Sequence, residues 1–344
     1  MNRHLLHLFV ALFSAIFAPA LARASAISDE PRIEACSLEE EADPVGDPAF
    51  WALPAWVVSE DACGPEPGEE EGITLFQSGN LFDTVLANPR EVRAEAAVGR
   101  LSGSPTLSRL AGSHDFYNIV VWMGGDFPLV RRVNHEREDG RIDGHQIGIM
   151  PMATVLLSFS GDFGGDLVNA DFNGGLYHSY RKGPLSLRTR FYHESTHLGD
   201  EFIQITNFNP NNRINLSFEA LEFLASYDLW DGRVRVYGGP EFKVRVEPSA
   251  VKRWEGHVGM EWRPDLNIFV LAHPVIGVDV NPQQTHDGKP TTAVVAGLEI
   301  GKRRHHRPRV KLLARYLHGP SPYGQFRITD PSVDEFLVSF RWSQ

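Results

Sequence analysis

The stretch Leu185-Ser186-Leu187-Arg188-Thr189-Arg190-Phe191-Tyr192-His193-Glu194-Ser195-Thr196-His197 decides the fold. Leu185, Leu187, Thr189 and Phe191 occupy its odd positions, and Ser186, Arg188, Arg190 and Tyr192 its even ones. Successive side chains of a strand point to opposite faces, so this period of two predicts a strand with one apolar and one polar face. Gly232 to Val246 repeats the pattern, setting Val234, Val236, Phe242, Val244 and Val246 against Arg233, Arg235, Glu241, Lys243 and Arg245. The final segment does so again, with Phe336, Val338, Phe340 and Trp342 on one side.

Turn chemistry separates these runs, at Lys182-Gly183-Pro184, Asp231-Gly232, Glu247-Pro248-Ser249 and Arg263-Pro264-Asp265. The expected strands are 91–101, 116–131, 142–160, 163–181, 184–198, 213–229, 232–246, 251–262, 267–280, 291–301, 308–318 and 334–343. Ser217 to Leu224 also carries Phe218, Leu221 and Leu224 at a spacing that suits a helix, but it is read as a strand. About twelve strands, an even number, place both barrel ends on one side. The fold class is therefore all-β: an antiparallel transmembrane β-barrel of about twelve strands with an acidic periplasmic N-terminal arm. A soluble sandwich or lipocalin-like barrel would turn the same apolar face inward. The membrane reading is favoured by the polar face, where Arg188, Arg190, Arg233 and Arg235 would line a wet lumen and pair with acids such as Glu219 and Glu241.

The charge has a position as well as a size. The net charge is -11, yet Asp29 to Glu71 holds fourteen acidic residues and one basic one, while Gly72 to Gln344 carries thirty of each sign. A neutral body lacks the basic face that nucleic acid requires. Arg3, the apolar run Leu5 to Ala22 and the small residues Ala20, Ala22, Ala24 and Ala26 read as a secretory signal peptide over 1–26. Residues 27–85 form the acidic arm, and 86–344 the outer-membrane barrel. Export makes a Cys36–Cys63 disulfide the natural expectation for the only two cysteines.

One constellation could carry chemistry. His193, Ser195 and His197 share the face of Leu185, Leu187 and Phe191, so they would stand on the outer wall at one end of a strand. A neighbouring imidazole could act as general base toward the serine hydroxyl. This arrangement resembles two families of outer-membrane lipid hydrolases, phospholipase A and lipid A deacylase, in which a His-x-Ser pair on the barrel exterior attacks a membrane ester. The resemblance implies Ser195 as nucleophile, His193 as base and Asn207, fourteen positions after the histidine, as orienter, with Asp200 as a substitute. His197, Asp200 and Glu201 could instead hold a metal, calcium being the ion considered, or simply form a solvated rim. No other cofactor is implied.

Across the body, Leu86-Ala87-Asn88-Pro89-Arg90-Glu91, Ser195-Thr196-His197-Leu198-Gly199-Asp200-Glu201-Phe202 and Gly319-Pro320-Ser321-Pro322-Tyr323-Gly324-Gln325-Phe326 resemble the signature blocks of a bacterial outer-membrane family of unknown function. That resemblance implies a barrel and export, and no activity. The expected partners are outer-membrane lipids and lipopolysaccharide, with the barrel assembly machinery engaging the C-terminal strand. A structural barrel, pore or receptor is the leading expectation and a lipid ester hydrolase the alternative. Three weaker features are the basic run Lys302-Arg303-Arg304-His305-His306-Arg307, the aspartates Asp162, Asp166 and Asp171 among glycines, and the single histidines His257 and His273.

Overall fold

A computed structural model describes residues 72–107, 115–137, 140–159, 165–249, 251–266, 268, 272–301 and 309–343. The leader, the acidic arm as far as Glu71 with Cys36 and Cys63, Asp162 and the basic run 302–307 lie outside the described residues. The strands are β1 (Gly72–Leu75), β2 (Ala94–Ser102), β3 (Asp115–Gly124), β4 (Phe127–Glu136), β5 (Ile142–Ile149), β6 (Met152–Ser158), β7 (Asp166–Lys182) and β8 (Leu185–Leu198). They continue with β9 (Ser217–Leu229), β10 (Val234–Glu247), β11 (Trp254–Trp262), β12 (Ala272–Pro282), β13 (Pro290–Ile300), β14 (Arg309–Gly319) and β15 (Val333–Ser343). Two short helices, α1 (Asp200–Ile205) and α2 (Phe326–Thr329), sit in loops. No helix among the described residues is long and apolar enough to cross a membrane.

These strands make twelve staves. β3 pairs with β6 and β4 with β5, so β3–β4 and β5–β6 are two long strands that break side by side. Pro151 lacks a backbone N–H for the ladder, and Gly125 N–H bridges the two breaks by donating to its carbonyl at 3.3 Å. Every stave is antiparallel to both neighbours, β7 with β8 and β2 with β15 completing the ring. β1 is extra, lying along β4. Gly183 takes φ +59° in the tight turn between β7 and β8, a conformation open to glycine at no steric cost. Ser217 to Leu224 is strand, its burial alternating through β9.

The outer wall is apolar. Val98, Leu176, Leu187, Phe191, Phe223, Val258, Leu312 and Phe340 all point outward and are exposed. A soluble barrel would bury this face, so the wall is one that lipid must cover.

The lumen is packed with protein. From the end where the staves begin and finish, here called the terminal end, residues 77–93 run inside the barrel as a plug. Phe82 and Val85 are buried there against Leu224 and Tyr237, Leu86 and Ala87 against Val275, Val295 and Leu313, and Leu81 against Val133 and Ile142. At the far end, the loop 320–332 folds inward as a lid, burying Tyr323, Phe326 and Arg327. Gly324 lies tight against the wall of β7: its N–H donates to Asp171 at 3.0 Å, and an added Cβ would fall 2.0 Å from Asn169 Oδ1.

Two expectations about the polar face need correction. Arg188, Arg190 and Arg235 do face inward, but onto a filled lumen, and Arg233 lies exposed in the turn before β10, 2.5 Å from Asp265. Glu219 is on the outer face, because odd positions of β9 point out, while Glu241 faces in. The plug also places residues 77–85 inside the barrel: their apolar side chains fill space that the wall arginines alone cannot.

Candidate functional sites on the wall and in the lumen

On the wall, β8 presents Leu187, Phe191 and His193 outward while Ser186, Arg188, Arg190, Tyr192 and Glu194 are buried. His193 stands directly opposite Glu219 in the register with β9, and its Nδ1 lies 3.1 Å from Glu219 Oε1. Ser195, two residues on, stands opposite Ser217. The side chain that orients His193 is thus a carboxylate on the neighbouring strand. Asn207 follows α1, exposed, with φ +47°. Sequence distance concealed Glu219, which is 26 residues from His193 and meets it only through strand register.

Asp200 and Glu201 occupy the first turn of α1, where negative charge suits the helix dipole. His197 packs edge-on against Phe172 at 5.7 Å between centroids. Among the described residues, the one trio of potential ligands whose atoms lie within 4.8 Å of one another is instead Glu222, Glu241 and His257, inside the lumen. Those groups already serve the protein. His257 Nδ1 is 3.3 Å from Asp279, and its Nε2 is 3.2 Å from Asn281. Glu222 accepts from Arg188 and Arg190, and Glu241 from Tyr192 at 2.7 Å. With Arg188, Arg190, Arg90 and Lys243 alongside, these carboxylates balance protein cations, which argues against a metal role.

The lumen carries the densest electrostatics. Arg188 grips plug residue Glu91 with both terminal nitrogens, at 2.5 and 3.0 Å, a bidentate pairing. Burial pushes the Glu91 carboxyl up, but Arg188 and Arg190 outweigh it and hold Glu91 at about 2. Phe82 of the plug is flanked by the guanidinium carbons of Arg188 and Arg235, each 4.6 Å from its ring centroid. Trp122 is similarly flanked by Arg93 and Arg315, at 4.2 and 4.7 Å. Where plug meets lid, Arg90 reaches Glu255 at 2.7 Å and Glu194 at 3.8 Å, while Arg327 reaches Glu194 at 2.7 Å and Glu255 at 3.2 Å. Lys243 adds a third cation to Glu255.

A closed antiparallel ring of staves with an apolar exterior is the architecture of an outer-membrane protein, and the chain is a bacterial outer-membrane β-barrel in contact with lipid. Solved barrels are similar at low identity. An active-site variant of outer membrane phospholipase A from Escherichia coli aligns at 10% identity and TM-score 0.46, over 78% of this chain and 91% of that one. The anion-selective porin from Comamonas acidovorans aligns at 9% and 0.30, over 79% and 99%. The transport unit of the autotransporter AIDA-I from Escherichia coli aligns at 12% and 0.38, over 78% and 95%. No curated protein matches the chain. Residues 69–336 match the family model described as a protein of unknown function, DUF1207, and the chain belongs to that family.

Proposed function

We propose that this protein is a sealed outer-membrane barrel that works at its lipid-facing wall and conducts nothing through its lumen. The observation that carries this reading is the shared grip of Arg90 and Arg327 on Glu194 and Glu255, which ties plug to lid across the lumen. The outward row Phe336, Val338, Phe340 and Trp342 on β15 is the surface through which the barrel assembly machinery would receive the chain. Lipids and lipopolysaccharide are the partners of the wall. Planar-bilayer recording is the test: the wild-type protein should be electrically silent, and steady single-channel currents from it would overturn the reading.

A second reading, lipid ester hydrolysis on the same wall, is favoured by one distance, the 3.1 Å between His193 Nδ1 and Glu219 Oε1. A carboxylate at Nδ1 holds the imidazole so that Nε2 can take the Ser195 proton as the hydroxyl attacks an ester carbonyl. Asp200 and Asn207 would then be bystanders, and calcium at His197, Asp200 and Glu201 would be dispensable. Fatty-acid release from phospholipid or lipopolysaccharide by the refolded protein, abolished in Ser195→Ala, is the expected outcome. Release that persists in Ser195→Ala would refute it.

A further inference from the structure

Toward the terminal end of the barrel, an outward row that begins at Arg132 on β4 is polar where the wall beside it is apolar. Strand register sets Arg132 opposite His145 on β5, and His145 opposite Tyr180 on β7. His178 and Lys182 share the outward face of β7, two residues to either side of Tyr180. Arg132, His145, His178 and Lys182 are exposed, and Tyr180 is half-buried. The imidazoles hold each other: Nδ1 of His145 lies 3.2 Å from Nε2 of His178, and Tyr180 packs on the His145 ring at 4.7 Å between centroids. Among the described residues, no hydrogen bond or ion pair engages the Arg132 guanidinium, the Lys182 ammonium or the Tyr180 hydroxyl.

These groups offer donors and positive charge. Arg132 presents a planar fork of N–H donors that matches phosphate oxygens, and Lys182 a compact point charge. The hydrogen-bonded imidazoles add one donor more. If His145 donates through Nδ1, the proton of a neutral His178 sits on its own Nδ1; if His178 donates through Nε2, that of a neutral His145 sits on its own Nε2. Either way one ring N–H is left for an outside acceptor. The acid on this face is Asp143, two residues before His145, and its Oδ1 already accepts from the Gly183 N–H at 2.9 Å. Two cations against one acid leave the row positive. Its depth suits a headgroup: Lys182 opens the β7–β8 turn, and Tyr227, Trp230, Trp262 and Trp342 are exposed toward the same end, where aromatic rings mark the membrane interface. Further from that end, Val130, Ile147 and Leu176 are exposed and apolar, a surface for acyl chains.

We propose that Arg132, Lys182 and the His145–His178 pair hold the headgroup of an anionic phospholipid in the leaflet at the terminal end of the barrel, its acyl chains laid over Val130, Ile147 and Leu176. Two strand spacings, about 10 Å, separate the stems of Arg132 and Lys182, a gap that two long side chains close onto one headgroup. The site deepens the reading of a protein that works at its lipid-facing wall and rests on it. Bilayer currents would overturn that reading without altering a lipid count, and loss of the lipid preference would remove this site while the barrel stayed silent. The probe is an equimolar mixture of phosphatidylglycerol and phosphatidylcholine, added to the refolded full chain in detergent micelles, with native mass spectrometry counting the lipid retained. The wild type should keep one phosphatidylglycerol in preference. That preference should fall about fivefold in Arg132→Gln and in Lys182→Gln, the effect of one cation beside an anionic headgroup. It should stand in Arg233→Gln, which removes an exposed cation at the same end, and against added inorganic phosphate. Heat-sensitive gel mobility of a folded barrel checks that each variant has folded. The site is overturned if the wild type shows no preference, if either Arg132→Gln or Lys182→Gln matches it, if Arg233→Gln lowers the preference equally, or if inorganic phosphate displaces the lipid.

Discussion

Arg90 and Arg327 hold the same two carboxylates, Glu194 and Glu255, from opposite ends of the lumen. Arg90 arrives on the plug from the terminal end, and Arg327 on the lid from the far end. Each cation is compensated by acids that the other also uses, so neither segment is neutralised alone. Removing one guanidinium leaves buried negative charge, which costs more than the net worth of an intact pair.

Arg90→Ala and Arg327→Ala should each destabilise the barrel by about 3–5 kcal/mol. Because the two arginines share partners, the double variant should depart from additivity by about 0.5–3 kcal/mol. Urea unfolding followed by tryptophan fluorescence in lipid vesicles measures both quantities. Strict additivity would mean that plug and lid are seated independently.

Phe82 tests how the plug is gripped. Phe82→Leu keeps an apolar side chain but loses two cation–π contacts, each about 2 kcal/mol where water is excluded. The variant should therefore expose the plug to a protease added from the terminal side, at protease levels that leave the wild type intact. Equal protection would assign the seating of the plug to packing alone.

Acid should loosen the plug. Glu91 is held at about 2 against an ordinary value near 4.5, so its pairing with Arg188 and Arg190 stabilises the fold fully above the ordinary value. That contribution is lost as pH falls through the window between the two values. The protection of the amides of residues 81–92, taken as intrinsic over observed exchange rate at each pH, should fall across this window in the wild type, and that pH-dependent fall should be absent from Glu91→Gln.

The wall can be probed with a charge. Leu187→Arg and Val338→Arg should each cost about 2–4 kcal/mol of folding free energy in lipid vesicles if their positions lie near mid-membrane. Asp231→Arg, in the turn between β9 and β10, should be near neutral. A neutral result at both wall positions would contradict lipid coverage of this face.

If the wall hydrolyses esters, Glu219→Gln should lower turnover substantially and Asn207→Ala should leave it unchanged. The first removes the charge that holds His193; the second alters an exposed residue past α1. Fatty-acid release assays on the two variants separate the carboxylate orienter from the sequence-based one.

The staves were readable because one face of each meets lipid and the other meets packed protein, which enforces a period of two from Leu185 to His197 and again from Phe336 to Trp342. The plug and lid were not readable as such. Leu86 donates its N–H to Glu261, 175 residues away, and Arg327 reaches Glu194 across 133 residues, separations that no local pattern encodes. Their signal was present in another form: the blocks Leu86 to Glu91 and Gly319 to Phe326 stood out as motifs, and each is part of a segment that fills the lumen. Arg188 and Arg190 were correctly placed on the inner face, yet their partner Glu91 lies in a segment expected to begin a strand. Glu219 escaped because a carboxylate next to a histidine across two strands is invisible until the register is known.

The plug leads directly into β2, and the lid leads directly into β15. Those two staves pair with each other to close the ring, from Ser102 opposite Asp334 to Ala94 opposite Trp342. Both lumen-filling segments are thus tethered to the seam. Zipping that seam and stuffing the interior become one concerted event in biogenesis: a barrel whose first and last staves have not met lacks the anchor points that hold either filler, and one whose fillers are displaced strains the joint that keeps it circular.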